Sequence, residues 1–148
     1  MKRRAFIRQT CITCVSGGLI PFLITGCQAT HYASGVMDAT GISVSKSEFT
    51  YLKKEQTLTR QYIIVQNDKL EFPIYVYRFS DTEYSALWMK CTHQGAELQA
   101  SGDALQCPSH GSEFTNKGAV RNGPAEKNLR SFPVIVQTDT ITIDLQQS

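Results

Sequence analysis

Cys91-Thr92-His93-Gln94-Gly95 and Cys107-Pro108-Ser109-His110-Gly111-Ser112 are two short loops of one make, each with one thiol and one imidazole. Thirteen residues separate His93 from Cys107. Two such loops can clamp a small inorganic rhomb from both sides, with thiolates on one iron and imidazoles on the other. Two cysteines and two histidines around a 2Fe-2S cluster satisfy that division. A tetrahedral zinc ion takes the same four ligands, and two core thiols beside two surface histidines need no metal. Cys91, His93, Cys107 and His110 are therefore the candidate cofactor-binding and metal-ligating residues.

Outward from these loops the chain reads as strands. Residues 84–90 deliver the first loop and 105–106 enter the second. Residues 42–45 and 73–79 alternate apolar with polar or aromatic side chains, and 62–65 are rich in β-branched residues. Residues 80–83 read as a turn. Residues 134–136 and 141–145, joined through Thr138-Asp139, form a closing hairpin. A short turn near 47–54 is the one helical hint. Short strands with frequent turns predict an all-β, antiparallel sandwich or barrel-like fold.

The N-terminus has another character. Lys2-Arg3-Arg4-Ala5-Phe6-Ile7-Arg8 resembles a twin-arginine export signal. The uncharged stretch from Cys11 to Gly26 is shorter than the ~20 apolar residues of a spanning helix, and Gly17-Gly18 and Pro21 weaken it as a helix. Ile24-Thr25-Gly26-Cys27 resembles a bacterial lipobox, with Cys27 the lipidation site. The expected organisation is a signal peptide at 1–26, a small polar tether at 27–40 with a solvated His31, and one domain at 41–148. An uncleaved N-terminal anchor is the alternative. Either way the domain is expected on the periplasmic or extracytoplasmic face, held to the membrane, most simply by lipid on Cys27.

Setting the leader aside changes two counts. Of five cysteines, Cys11 and Cys14 are leader residues, so only Cys27, Cys91 and Cys107 remain and no pair is left for a disulfide. The leader holds four of the 15 basic residues and none of the 13 acidic ones, leaving 11 against 13, a net of −2. No basic run interleaved with aromatics points to nucleic acid.

The loop pair Cys-x-His-x-Gly and Cys-Pro-x-His-Gly-Ser resembles that of the Rieske iron–sulfur proteins, and the resemblance runs from about residue 42 to 145. It implies a base β domain with a small cluster-binding subdomain, here about 91–125. It also implies that Cys91 and Cys107 take the inner iron and His93 and His110 the outer. Two ferric ions, two sulfides and two thiolates sum to zero charge beside neutral imidazoles, so reduction adds one negative charge, which is easier than for an all-thiolate centre. Asn122-Gly123-Pro124-Ala125 resembles the family's proline loop, which covers the cluster from a third side through Gly123 and Pro124. Ser112 matches a serine that donates to a bridging sulfide.

Departures from the family pattern matter as much. The cysteines that brace the loops of respiratory members with a disulfide are Ala96 and Ser109 here. A tyrosine that donates to a ligand sulfur is Phe114, whose loss should lower the potential. Gln94 replaces the leucine usual in quinol-oxidising members. An oxygenase within this chain is excluded, because its second iron needs two further histidines and only His31 remains. The resemblance thus implies an exported, membrane-tethered one-electron carrier that meets a redox partner protein. A Rieske subunit of a quinol-oxidising cytochrome bc-type complex is an alternative. Others are the small electron-transfer subunit of an exported oxidoreductase, arsenite-oxidase-like with a separate large subunit, and a zinc-stabilised binding module.

Overall fold

The computed structural model describes residues 30–146; the expected leader at 1–26 and Cys27 lie outside the described residues. Apart from one 3-10 turn, the regular structure is all strand, as the alternation predicts. At its centre is an antiparallel meander of β6 (Tyr62–Gln66), β7 (Ile74–Arg78) and β8 (Tyr84–Trp88). β1 (Tyr32–Ser34) and β13 (Ser131–Phe132) flank it, giving a sheet of order β1-β6-β7-β8-β13.

Successive side chains of a strand face opposite ways, and here both faces are covered. Ile63, Val65, Ile74, Val76 and Ala86 enter one core, while Ile64, Tyr75, Tyr77 and Leu87 enter another. That double burial explains why β6 and β7 are apolar almost without interruption although their pairing is antiparallel. A fully buried side chain of this size contributes roughly 1.5–3 kcal/mol.

The first core is closed by a second sheet of order β14-β15-β3-β2, built from β2 (Val36–Met37), β3 (Gly41–Ser45), β14 (Val134–Val136) and β15 (Thr140–Asp144). Only one face of this sheet meets the core, so β15 alternates. Ile141 and Ile143 point inward, while Thr142 Oγ1 lies 2.9 Å from Ser43 Oγ across the strands. The β14–β15 pair is the expected closing hairpin. Gly41 is required here, because a Cβ would stand 2.0 Å from the Ile143 carbonyl oxygen.

The second core is covered by a sheet of order β12-β11-β10-β9, from β9 (Gln99–Ser101), β10 (Ala104–Gln106), β11 (Glu113–Thr115) and β12 (Val120–Asn122). It contributes Leu105 and Phe114, and Leu98 and Leu129 close its margins. The buried residues packed with this sheet run as far as Leu129.

Two expectations change. Part of the segment read as a tether at 27–40 is strand: β1 lies parallel to β6 with Tyr32 opposite Ile64, and β2 pairs with β3. One buried alanine, Ala33, and backbone pairing hold β1, which is too short and polar to announce itself by alternation. His31 is not simply solvated, since its Nε2 lies 2.6 Å from Glu48 Oε2. The helical hint at 47–54 resolves into a 3-10 turn (Lys46–Phe49), with Ser45 Oγ accepting from the Ser47 N–H. It is followed by β4 (Thr50–Lys53) and β5 (Gln56–Thr59), a hairpin that forms a sheet of its own.

Candidate metal centre

β8 and a single Lys90–Glu97 bridge lead into the first loop, and β10 runs into the second. In the first, the Cys91 N–H donates to the Ala96 carbonyl at 2.8 Å and the Gly95 N–H to the Cys91 carbonyl at 2.8 Å. In the second, the Cys107 N–H donates to the Ser112 carbonyl at 2.8 Å and the Gly111 N–H to the Cys107 carbonyl at 3.0 Å. Gly95 and Gly111 have φ of 75° and 78°, the left-handed region that favours glycine. The same turn is used twice. The histidine sits two residues after the cysteine in one copy and three in the other.

The repeat extends to the sulfurs. Cys91 receives the N–H groups of His93 and Gln94, and Cys107 those of Ser109 and His110. Both thiols are buried, and the two sulfurs interact with each other. Burial pushes the Cys91 thiol up, and its bond to Cys107 adds to this. Burial also acts to raise Cys107, but the Cys91 thiol, the two N–H donors and the Ser109 hydroxyl outweigh it and hold that thiol below its ordinary value. Two thiolates in contact need positive charge beside them.

The imidazoles also meet, edge to face, with ring centroids 4.9 Å apart and an interplanar angle of 88°. His93 Nδ1 is buried with no hydrogen-bond partner, an orphan that a ligand bond would satisfy. His110 is exposed. Among the described residues no three Cys, His, Asp or Glu side chains converge on a single ion position. A pair of sulfurs beside a pair of imidazoles fits a two-iron cluster better than one tetrahedral ion.

A third segment straps both loops. The Ala125 N–H donates to Ser112 Oγ at 3.0 Å, and Asn122 Nδ2 reaches the Gly111 carbonyl at 3.5 Å. Thr92 Oγ1 donates to the Lys127 carbonyl at 2.6 Å. Gly123 and Pro124 form the exposed tip between these contacts, and Ala125 is buried beneath them. Because Ser112 Oγ accepts from Ala125, its own hydrogen remains available to donate. Phe114 is fully buried in the same core as both cysteines and offers no donor. Sequence reasoning missed Thr92 and the Ser109 hydroxyl. A short polar side chain next to a ligand was the available signal for each.

Residues 48–133 match the Rieske [2Fe-2S] domain. The chain is 39% identical over 67 residues to the ubiquinol–cytochrome c reductase iron–sulfur subunit of Cereibacter sphaeroides, covering 43% of this chain and 35% of that protein. It is 30% identical over 115 residues to the cytochrome b6-f complex iron–sulfur subunit of a Cyanothece species, covering 71% of this chain and 58% of that one. Dicamba O-demethylase, oxygenase component, of Stenotrophomonas maltophilia is 38% identical over 84 residues, 50% of this chain and 25% of that protein. The chain thus spans less than two thirds of each of these relatives, from 25% to 58%. Among solved structures, the plasma membrane Rieske protein of Synechocystis superposes with a TM-score of 0.50 at 26% identity, covering 57% of this chain and 86% of that one.

Proposed function

Since the chain belongs to the Rieske [2Fe-2S] family, we propose that it works as an exported, membrane-tethered one-electron carrier whose cluster is held by Cys91, Cys107, His93 and His110. It is a Rieske iron–sulfur electron-transfer protein with one 2Fe-2S cluster. The observation that carries the ligand assignment is the repeated turn, which brings sulfur to sulfur and imidazole to imidazole. When bound, the cluster supplies a one-electron couple. Cys91 and Cys107 give the buried side, each sulfur already met by two backbone N–H groups. His93 and His110 give the outer side, and the exposure of His110 marks the edge a partner can reach. Ser112 and the 122–127 strap fix the second loop.

Export through the paired-arginine leader and a lipid on Cys27 complete the reading. A route that carries folded proteins suits a cofactor assembled before export. A second reading, a subunit of a quinol-oxidising complex, draws on the relatives named for ubiquinol–cytochrome c reductase. Against it, Gln94 is polar and exposed where an apolar contact is expected.

The purified chain should contain two irons and two acid-labile sulfides, and its reduced form should show the low average g value of mixed nitrogen and sulfur ligation. His93→Ala and His110→Ala should each deplete the cluster. Stoichiometric zinc without visible absorbance would end the assignment. Fatty-acid labelling should disappear in Cys27→Ala, and Arg3→Lys with Arg4→Lys should strand the precursor in the cytoplasm.

A further inference from the structure

The β4–β5 hairpin is the one sheet that packs into neither core as a layer. Lys53 pairs with Gln56, so Lys54 and Glu55 alone make the turn, at φ of 49° and 65°. Two positive values identify the hairpin turn that asparagine and glycine favour, yet both positions carry long charged side chains. Leu52, just before the turn, is 77% exposed, more than the other exposed large apolar residues described. On its face stand only Thr50, Thr57 and Thr59; Lys53, opposite Gln56, stands on the other face, and Lys54 and Glu55 make the turn beyond both. The hairpin thus ends in an apolar side chain next to a turn that carries Lys54, with Lys53 on its other face.

Its place in the fold supplies the partner. Arg60 closes the root, its N–H donating to the Phe49 carbonyl at 2.6 Å and its Nη1 to the Thr50 carbonyl at 2.8 Å. The described chain starts against the same end: Thr30 Oγ1 lies 3.3 Å from Tyr62 Oη, and His31 pairs with Glu48. Cys27 precedes Thr30 by three residues in the sequence. The sheet register runs Tyr62–Tyr77–Ser85 at this end and Val65–Ile74–Trp88 at the other. Cys91 follows beyond Trp88. Hairpin root and the first described residue, Thr30, therefore share one end of the central sheet, and the first of the two loops leaves from the opposite end.

We propose that the β4–β5 hairpin is a second membrane contact, placing Leu52 among the headgroups of an anionic bilayer and Lys53 and Lys54 against its phosphates. The cluster then faces away from the membrane, toward a water-soluble redox partner. This rests on the tethered reading above, because one leucine and two lysines bind too weakly to hold a domain without an anchor.

The test uses the cluster-loaded full chain reconstituted on vesicles of phosphatidylcholine, with or without phosphatidylglycerol, and amide hydrogen exchange followed by peptide. Amides of residues 52–57 should exchange more slowly on the phosphatidylglycerol vesicles, while residues 91–96 and 107–112 exchange as they do in detergent. Lys53→Gln with Lys54→Gln should lower the bound-to-free ratio of the hairpin about 25-fold, some fivefold per lysine. Leu52→Glu should abolish the protection, and Leu52→Met should keep it, with the visible spectrum of each variant confirming an intact cluster. A chain that floats with the vesicles but leaves 52–57 unprotected overturns the proposal, as does protection of the ligand loops instead. A chain that does not float overturns the anchor, and the hairpin contact with it.

Discussion

The two ligand loops have one backbone and two different surroundings. Both close with a cysteine N–H to the carbonyl five residues on, and both need a left-handed glycine just before that carbonyl. Beyond that they diverge. The first is half-covered, with His93 Nδ1 buried and Thr92 tied to the Lys127 carbonyl. The second is exposed at His110 but rooted in a buried Ser112 that accepts from Ala125. The shared frame presents one thiol and one imidazole from each loop. The differing attachments decide how firmly each loop is held and what reaches the sulfur, and that tuning falls mainly on the second.

The largest expected effect therefore lies at Ser112. Ser112→Ala removes the acceptor of a buried N–H, which costs about 1–3 kcal/mol, and it also removes a donor held ready for the cluster. Stability by denaturant titration should fall by that amount. The potential should fall by roughly 40 mV, since one net hydrogen bond of about 1 kcal/mol is that large for one electron. Thr92→Val, at an exposed bond, should cost less than about 1 kcal/mol. Equal losses at the two sites would mean that the loops are held alike and that the comparison is empty.

Next come the glycines. Gly95→Ala and Gly111→Ala should each destabilise by about 1–2 kcal/mol, because a Cβ is disfavoured at positive φ. Beyond its two chain neighbours nothing lies within 4 Å of a carbon added at Gly111, and at Gly95 the nearest such atom is Lys90 Cε at 3.4 Å, so backbone conformation dominates both. Asparagine at either position should recover part of the loss. A large loss at one glycine and none at the other would break the shared frame.

The ligand loops were legible in the sequence because each is a local device. Cysteine, histidine and glycine at fixed offsets leave few alternatives. The central meander was legible too, although its alternation misled: Tyr75 and Tyr77 face the second core rather than solvent. What could not be read was held by non-local or backbone terms. β1 depends on parallel pairing with β6 across the chain. The β4–β5 hairpin lacks the asparagine–glycine signal its turn calls for. The missing disulfide was visible at Ala96 and Ser109, but not that Ser109 makes a hydrogen bond in its stead.

Phe114→Tyr sharpens the comparison from the other side. The ring is fully buried in the core that holds both cysteines, so an added hydroxyl that reaches a sulfur should raise the potential by roughly 40 mV. An unchanged potential in a normally folded variant would make Phe114 a packing residue only.

The smallest effect is expected at Ser109, and it is the most telling. Its hydroxyl is among the groups that hold the Cys107 thiol low, beside two backbone N–H groups. A donor there favours the more negative, reduced state, as the absent tyrosine would have done, so Ser109 restores part of what Phe114 withholds. Ser109 is exposed, and water competes for its hydroxyl, which should roughly halve the contribution to about 20 mV. Ser109→Ala should therefore lower the potential by that amount with no loss of stability, and Ser109→Thr should keep it. Protein-film voltammetry of the three forms decides the point. A Ser109→Ala chain at the wild-type potential would show that the second loop tunes through Ser112 alone.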